Sequence, residues 1–410
     1  MTCIAIAAVG SRGDVAPIVG LGRALHEAKH RVVIAAYAPF EELITGNGLE
    51  FRALPGDPAD GGDVNPVKAI GAFLAPSGIE AMGRAVLDAL QDVPADVYLL
   101  SPFSEFAGHP LAEAKGAPSI GIRLQPFSAT HHYPPAILGG WSVGARGNRL
   151  AANAGGWILD RLYGGVVARF RTQLGLAPSS ARTCRRLRTR AEWPVLRGYS
   201  PSVVPRPADW RPGLDVVGYW WPPRTSDWSP PSVLADFLAS GPPPVFVGFG
   251  STMNSVEQAQ RISDIVTLAF RRAGVRGIVQ SGWAGLEVAG EDVLTVGEVP
   301  HDWLFPRMAA VAHHCGAGTA AAGLRAGVPT IAIPGLGDQP FWARRLRDLG
   351  VSAATISQRN LTAARLGDAI QMAVCDSRIR DSSQSIAARI NTEDGEGRAV
   401  AAVEKALVSS

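Results

Sequence analysis

The sequence predicts an α/β protein with two domains, each built on a parallel β-sheet flanked by helices. Short apolar runs alternate with segments of helical period, and this alternation occurs twice along the chain. The length of 410 residues exceeds what one hydrophobic core usually supports, which agrees with two domains. A proline-rich segment at 221–244, WPPRTSDWSPPSVLADFLASGPPP, separates the two series and predicts a linker between them.

The first series predicts a Rossmann-like domain over residues 1–220. TCIAIAAV reads as a buried strand, and Pro17 is predicted to open the helix that follows it. The runs RVVIAA, DVYLLSP and APSIGIRL predict further strands, with the helix SEFAGHPLAEAKG between the last two. Residues 125–148 combine aromatics, histidines, prolines and glycines without a period, so we expect a long functional loop there.

The second series predicts a second Rossmann-like domain over residues 245–390. Helical segments lie between most of its apolar runs, which are PPPVFVGFGS, RGIVQSG, DVLTVGEV, AAVAHHCG, PTIAIPG and VSAATI. The segment 391–410 predicts a terminal helix. In open sheets of this kind, ligands collect at the carboxyl ends of the strands, so the joints between strands and helices are the candidate sites.

Composition and charge indicate a soluble enzyme without a global charge signal. Charged residues make up 18% of the chain and the formal net charge is +3, so no overall field indicates nucleic acid or an anionic membrane as a partner. The arginine-rich run ARTCRRLRTR at 181–190 could contact phosphates, although we favour a solvated helix face or loop.

The location that we expect is cytoplasmic. The apolar start has no basic leader region, and no run of 18 apolar residues predicts a membrane span. The four cysteines lie far apart and lack zinc-site spacing, which argues against a disulfide framework and against a structural metal; they are Cys3, Cys184, Cys315 and Cys375.

The segment HHCGAGT at 313–319 is a candidate phosphate-binding turn. A turn without bulky side chains lets backbone N–H groups and the positive end of the following helix approach a phosphate, and His314 could add a donor. A tight strand–helix turn with packing histidines is an equal alternative. His313 and His314 point to different sides of an extended segment, so they do not predict a metal site.

Two further joints of the second domain carry candidate polar groups. In VGFGSTMNS at 247–255, the hydroxyls of Ser251 and Thr252 could donate to a diphosphate. In PGLGDQP, the carboxylate of Asp338 and the amide of Gln339 could together bind several hydroxyls of a sugar. The alternative for Asp338 is a cap of the helix that begins near Pro340.

The first strand–helix joint, VGSRGDVAP at 9–17, places Arg12 and Asp14 at the corresponding edge of the first domain. Asp14 is either an N-cap of the helix or a general base that faces the second domain. A helix N-terminus favours the ionised form, so we expect a carboxylate at neutral pH.

Taken together and in this order, the motifs resemble the inverting nucleotide-sugar glycosyltransferases of the GT-B fold. The likeness is to bacterial enzymes that decorate glycopeptide antibiotics and to sterol glucosyltransferases. It rests on GSRGDVAPIVGLGRAL, GYWW at 218–221, GPPPVFVGFGS, GEVPHDWLF, and the stretch from HHCGAGT to DQ at 313–339. The resemblance implies two Rossmann-like domains that face each other across a cleft, with the last helix returning to the first domain.

The resemblance also implies roles for individual residues. Asp14 would deprotonate the acceptor hydroxyl, Asp338 and Gln339 would hold the donor sugar, and the backbone at Val299 would meet the nucleobase. The other nucleotide-binding positions are Arg12, Ser251, Trp283, His314, Gly316, Gly318 and Thr319. Cys315 departs from the bacterial pattern, which has glycine there, whereas the plant branch often has cysteine.

The implied reaction is transfer of a sugar from a UDP- or dTDP-sugar to a hydroxyl of a small-molecule aglycone, with neither metal nor cofactor. A bacterial natural product, as in antibiotic biosynthesis, is the acceptor that we expect. Two alternatives stay open: a sugar-nucleotide epimerase or hydrolase of the same fold, and a non-catalytic partner of a glycosyltransferase. The loop at 125–148 favours a transferase, and the joint presence of Asp14, His314, Asp338 and Gln339 argues against a non-catalytic partner.

Overall fold

Two parallel β-sheets, one from each half of the chain, organise the molecule. The structure is a computed structural model that describes residues 2–56, 71–136, 142, 144–223, 228–250, 255–282, 285–288 and 290–408. All paired strands within the two described sheets run parallel. Helices cover both faces of each sheet, and this confirms the predicted α/β class with two Rossmann-like domains.

The first sheet has the order β3-β2-β1-β4-β5-β6-β7. Its strands are β1 Cys3–Ala7, β2 Arg31–Tyr37, β3 Glu50–Leu54, β4 Val97–Leu100, β5 Ser119–Arg123, β6 Val195–Arg197 and β7 Leu214–Val216. The helices of this half are α1 Arg12–Glu27, α2 Glu41–Thr45, α3 Pro76–Leu90, α4 Glu105–Lys115, α5 Gly144–Gln173 and α6 Ala181–Arg190. The chain reverses its direction of travel across the sheet between β1 and β4, which opens a crevice at their carboxyl ends.

The second sheet has the order β10-β9-β8-β11-β12-β13. Its strands are β8 Val245–Gly248, β9 Gly277–Gln280, β10 Val293–Val296, β11 Ala310–His313, β12 Thr330–Ala332 and β13 Ser352–Thr355. The helices are α7 Ser232–Ala239, α8 Val256–Ala273, α9 His301–Leu304, α10 Ala317–Ala326, α11 Gln339–Asp348, α12 Ala363–Cys375, α13 Ser377–Ile390 and α14 Gly395–Val408. The equivalent reversal lies between β8 and β11, the strands that carry the two glycine-rich joints.

The first helix begins earlier than predicted, at Arg12 rather than at Pro17. Ser11 occupies the N-cap with extended backbone, and its N–H donates to the carboxylate of Asp14 at the third helical position, 3.0 Å away. Because of this capping interaction, α1 begins at Arg12 and Pro17 lies inside the helix. Proline has no backbone N–H, so one i→i−4 hydrogen bond of the helix is missing there.

Two other segments differ from the sequence prediction. Residues 144–148, expected to belong to a loop, form the first turns of the long helix α5. The predicted linker 221–244 contains α7, whose Leu234 is buried in the second domain among Phe246, Leu304 and Phe305. The start of α5 is rich in alanine and glycine, so it shows no apolar period that predicts a helix. The helix α7 has only eight residues and is flanked by prolines, which favour the prediction of a loop.

The terminal helix α14 packs on the first domain rather than the second. Ala399 and Val403 are fully buried in the same core as Ile4 of β1 and Leu21 of α1. The two places where the chain crosses between domains lie side by side: Gly218, at φ +117°, contacts Gly395. The N–H of Trp221 donates to Glu396 over 2.8 Å, so the GYWW motif fastens the start of α14.

Candidate active site

The carboxylate of Asp14 is fixed at the end of β1 by hydrogen bonds from two directions. Its Oδ2 accepts from the N–H of Ser11 at 3.0 Å and from the Ser11 hydroxyl at 3.1 Å. Its Oδ1 accepts from Nε2 of Gln125, which follows β5, at 3.3 Å. Capping and a position facing the cleft therefore coexist: one oxygen holds the start of α1 and the other points along the strand ends.

Burial raises the pKa of the Asp14 carboxyl, and the hydrogen bonds from Ser11 and Gln125 only partly oppose this effect. The sequence prediction considered only the helix N-terminus, which favours the ionised form. Within the cleft, the loss of water outweighs that contribution. Asp14 is consequently a stronger base than an exposed aspartate.

The two glycine-rich joints of the second domain lie next to each other. His313 at the end of β11 is the register partner of Gly248 at the end of β8. The ring of His314 fills the space between the joints, because a Cβ on Gly250 would lie 2.5 Å from its Cε1 and one on Gly316 would lie 2.6 Å from its Nε2. Glycine at both positions is thus required by the imidazole, and not only by the turn.

His314 is neutral at physiological pH. Burial lowers its pKa to about 4, although a hydrogen bond to the backbone of Gly248 opposes the shift. Its Nδ1 is buried and has no hydrogen-bond partner among the described residues. The pKa values of His301 and His313 also fall, to about 4 and about 3, because both rings are buried and lie near His314. The ring of His314 can therefore donate a hydrogen bond as neutral imidazole, without adding a full charge.

Cys315 has a left-handed backbone with φ +64°, a conformation that normally favours glycine. The conformation is held by the Cys315 N–H, which donates to Nδ1 of His313 at 3.0 Å. Burial raises the pKa of its thiol well above the ordinary range. Cys315 is thus an unreactive thiol in a glycine-like position.

The helix α10 starts directly after this turn, with Gly316 as its N-cap. Gly318 in its first turn is exposed, and a Cβ there would meet nothing within 4 Å. Thr319 is half-buried beside it. The start of α10 is thus open to solvent at Gly318, as an anion-binding helix end requires.

Asp338 occupies the N-cap position of α11, but its side chain makes no capping hydrogen bond. Its Oδ2 instead accepts from the indole N–H of Trp342 at 2.8 Å. The neighbouring Gln339 uses its carbonyl oxygen to accept from the N–H of Gly335 at 2.8 Å. Hydrogen bonds within the second domain therefore orient both side chains. The Asp338 carboxylate does not cap α11, so the alternative of a simple helix cap is wrong.

The predicted residues of both domains face a common cleft. Arg12 at the start of α1 forms an ion pair with Glu298 of the second domain, with 3.4 Å between Nη1 and Oε2. Burial raises the pKa of Asp338, and the nearby negative charge of Asp14 raises it further. At the cleft's other side, the ring of Tyr133 packs edge-on against Phe341 of α11, with centroids 5.4 Å apart.

The loop before α5 is fixed on the first domain at this border. The N–H of His131 and the hydroxyl of Thr130 both donate to the carboxylate of Asp209, at 2.9 and 2.7 Å. His131 also pairs through Nδ1 with the carbonyl of Ala145 at 2.9 Å. The described part of this loop, residues 125–136, therefore lies at the border between the two domains.

Three predicted site residues fall outside the part of the chain that the structure describes: Ser251, Thr252 and Trp283. Val299 is buried beside Glu298, in the loop that Arg12 reaches. Sequence reasoning missed Gln125 and Glu298 as site residues. Gln125 could have been found, because it follows a predicted strand at the same sheet edge as Asp14.

The described residues contain neither a cluster of metal ligands nor a membrane-spanning helix. No three side chains of His, Cys, Asp or Glu in that part of the chain lie close enough together to bind a metal ion. None of its helices combines the length and the apolar character that crossing a membrane needs.

A segment in each half of the chain matches a known protein family. Residues 4–75 match the glycosyltransferase family 28 N-terminal domain, and residues 278–402 match the C-terminal domain of the erythromycin biosynthesis protein CIII-like family. Two sterol 3-beta-glucosyltransferases of Arabidopsis thaliana, UGT80A2 and UGT80B1, are each 32% identical to this chain over 98% of its length. The chain spans about two thirds of these relatives, 65% and 68% of their lengths.

Solved structures share the architecture at low sequence identity. The calicheamicin glycosyltransferase CalG4 superposes with a TM-score of 0.72 at 18% identity, over 100% of this chain and 99% of that one. The glycosyltransferase VinC, in complex with dTDP, gives a TM-score of 0.68 at 17% identity, over 100% of both chains. Together with the relatives that are 32% identical, these matches confirm the resemblance drawn from the motifs: the chain belongs to the glycosyltransferases of the GT-B fold.

Proposed function

We propose that this protein transfers a sugar from a UDP- or dTDP-sugar to a hydroxyl of a small-molecule aglycone, with inversion at the anomeric carbon. The observation that carries the proposal is the placement of a base and an anion site on opposite walls of one cleft. Asp14 faces the cleft from the first domain, while His314, the start of α10 and Asp338 face it from the second.

In this mechanism the second domain binds the donor. The N–H groups at the start of α10 and the neutral imidazole of His314 stabilise the negative charge that develops on the leaving diphosphate. Arg12 would contribute a cation from the opposite wall, exchanging its exposed partner Glu298 for the diphosphate. Asp338 and Gln339 hold the sugar hydroxyls, and no metal is needed, because the helix end and these donors supply the positive potential.

The first domain supplies the attacking oxygen. Asp14 takes the proton of the acceptor hydroxyl as the new bond forms, while Gln125 and Ser11 keep its carboxylate aimed into the cleft. Attack from the side opposite the diphosphate gives inversion in one displacement. The relatives are named for sterols and CalG4 for calicheamicin; we propose a bacterial natural product as the acceptor here.

The test is to incubate the purified protein with UDP- and dTDP-sugars and a mixture of aglycones, and to analyse the products by mass spectrometry. Transfer of a hexose or deoxyhexose, with a β-linkage from an α-linked donor by NMR, is the expected result. Interconversion of donor sugars without an acceptor would instead establish an epimerase. Donor binding without turnover on any acceptor, or no donor binding, would overturn the proposal in favour of a partner protein.

A further inference from the structure

A surface on the first domain combines exposed apolar side chains with arginines that form no ion pair among the described residues. It is formed by α5 and α6 on the outside of the first domain. Of the twelve large apolar side chains that are exposed among the described residues, six lie on these two helices: Leu150, Trp157, Ile158, Leu159, Leu162 and Leu187. Isolated exposed apolar residues are ordinary, but such a concentration marks an interaction surface.

The spacing of the exposed apolar residues along α5 places several of them on one side of the helix. Leu150 and Trp157 are seven residues apart and share one helix face, to which Ile158 is adjacent. Trp157 is 52% exposed and Ile158 54% exposed. The opposite face carries Val166 and Phe170, which are buried in the domain core. The helix thus exposes apolar side chains up to Leu162, whereas the large apolar side chains that follow, from Tyr163 on, are covered by the domain core.

The charge of this region is strongly positive although the whole chain carries only +3. Residues 144–190 contain ten arginines, no lysine and a single acidic residue, Asp160. Four of the arginines have acidic partners close by, among them Arg185, which bonds Asp160 at 2.6 Å. Five are exposed and form no ion pair with the described residues: Arg146, Arg161, Arg182, Arg186 and Arg190. The remaining arginine, Arg149, lies 3.7 Å from Asp209.

Apolar and cationic groups meet in one groove between the two helices. The groove has a volume of about 620 Å³ and is lined by Trp157, Arg161, Pro178 and Arg182, among others. A half-exposed tryptophan with arginines beside it is typical of the interface between lipid head groups and acyl chains. A nucleic acid would use the arginines but leave Ile158 and Leu150 without a partner.

We propose that the surface formed by α5 and α6 docks the protein on an anionic phospholipid bilayer. The arginines bind lipid phosphates, while Trp157 and Ile158 insert between the head groups. Several basic residues together with a few inserted apolar side chains provide the two signals that stable peripheral binding needs. Because His131 contacts the first turn of α5, docking brings the loop at the domain border close to the bilayer.

The experiment is co-sedimentation of the full chain with vesicles of phosphatidylcholine containing 30 mol% phosphatidylglycerol, and with vesicles of phosphatidylcholine alone. Binding to the anionic vesicles that weakens from about 0.1 M to about 0.5 M salt is expected, because salt screens exposed charges. The double variant Arg182→Ser/Arg186→Ser should bind about 30-fold more weakly, at roughly fivefold per arginine. Trp157→Gln/Ile158→Gln should bind about tenfold more weakly.

The matched control is Arg261→Ser/Leu268→Gln, on α8 of the second domain. Both residues are exposed, and Leu268 is as exposed as Ile158, at 53%. The control should bind vesicles like the unmodified protein, and circular dichroism melting should be unchanged in all three variants. Equal binding of all variants, or no preference for anionic vesicles, would overturn the proposal. So would a dimer that dissociates in the Trp157→Gln/Ile158→Gln variant without any vesicle binding, since the surface would then join two copies.

Discussion

Replacing Asp14 with asparagine separates its role in the fold from its role in the reaction. The carboxylate accepts two hydrogen bonds from Ser11 and one from Gln125. An asparagine keeps the shape, its carbonyl oxygen can keep the Ser11 bonds, and its amide can donate to Gln125 once the glutamine amide turns over. We therefore expect the free energy of unfolding to change by no more than about 1 kcal/mol, the usual weight of one capping interaction.

The effect on turnover should be much larger. A positioned general base contributes about 10²–10⁴-fold, so kcat/KM should fall by that factor, equivalent to about 3–5 kcal/mol of transition-state stabilisation. Donor affinity, measured by isothermal titration calorimetry, should stay within about threefold, because the donor binds the other domain. Product formation by mass spectrometry and thermal melting by circular dichroism complete the measurement.

The pH profile gives an independent readout. Asp14 acts as a base only when it is deprotonated, and burial raises its pKa. Activity should therefore decline as the pH falls through a value above the ordinary aspartate range, and this acid limb should disappear in the asparagine variant. Ser11→Ala, which removes one hydroxyl contact but keeps the carboxylate, is the control and should cost less than about tenfold. If Asp14→Asn turns over within threefold of the unmodified protein, Asp14 is not the base.

Three further predictions concern the second domain. Asp338→Asn should change the preference among donor sugars that share one nucleotide, measured as ratios of kcat/KM; an unchanged ratio would limit Asp338 to bonding Trp342. Gly316→Ala should displace the ring of His314, 2.6 Å from the new methyl group, and weaken donor binding about tenfold by calorimetry, whereas unaltered affinity would remove His314 from the donor site. Cys315→Gly should leave stability within about 1 kcal/mol, while Cys315→Val should destabilise by about 2 kcal/mol or more in urea denaturation, since φ +64° excludes a β-branched residue; equal stability of both variants would contradict the strain.

The central strands of the second sheet were predictable because they are short apolar runs buried between helices, whereas the edge strands β10 and β13 are only partly buried. All six of its predicted strands are present in the structure, in a single sheet. In the first domain, β3 is an exposed edge strand with Glu50 and Arg52 paired to neighbours, and β6 and β7 have three residues each. Such strands are defined by their hydrogen-bonding partners, so the local sequence carries little signal for them.

The site was predictable to the extent that it lies at strand ends. Asp14, His314 and Asp338 each follow an apolar run directly, and parallel topology places such positions at one edge. The ion pair between Arg12 and Glu298 could not be predicted, because it depends on how the two domains approach each other. The raised pKa of Asp14 also required the structure, since it results from burial of the carboxyl group in the folded chain.

The position of α14 affects the order in which the two domains can fold during synthesis. Ala399 and Val403 fill part of the core around β1, so the amino-terminal lobe is built from residues at both extremes of the chain. During synthesis the apolar face of α1 that α14 covers stays exposed until α14 has been made. All strands of the second domain are synthesised before α14, so that domain can fold before the first domain is complete, which reverses the usual order of maturation along a nascent polypeptide.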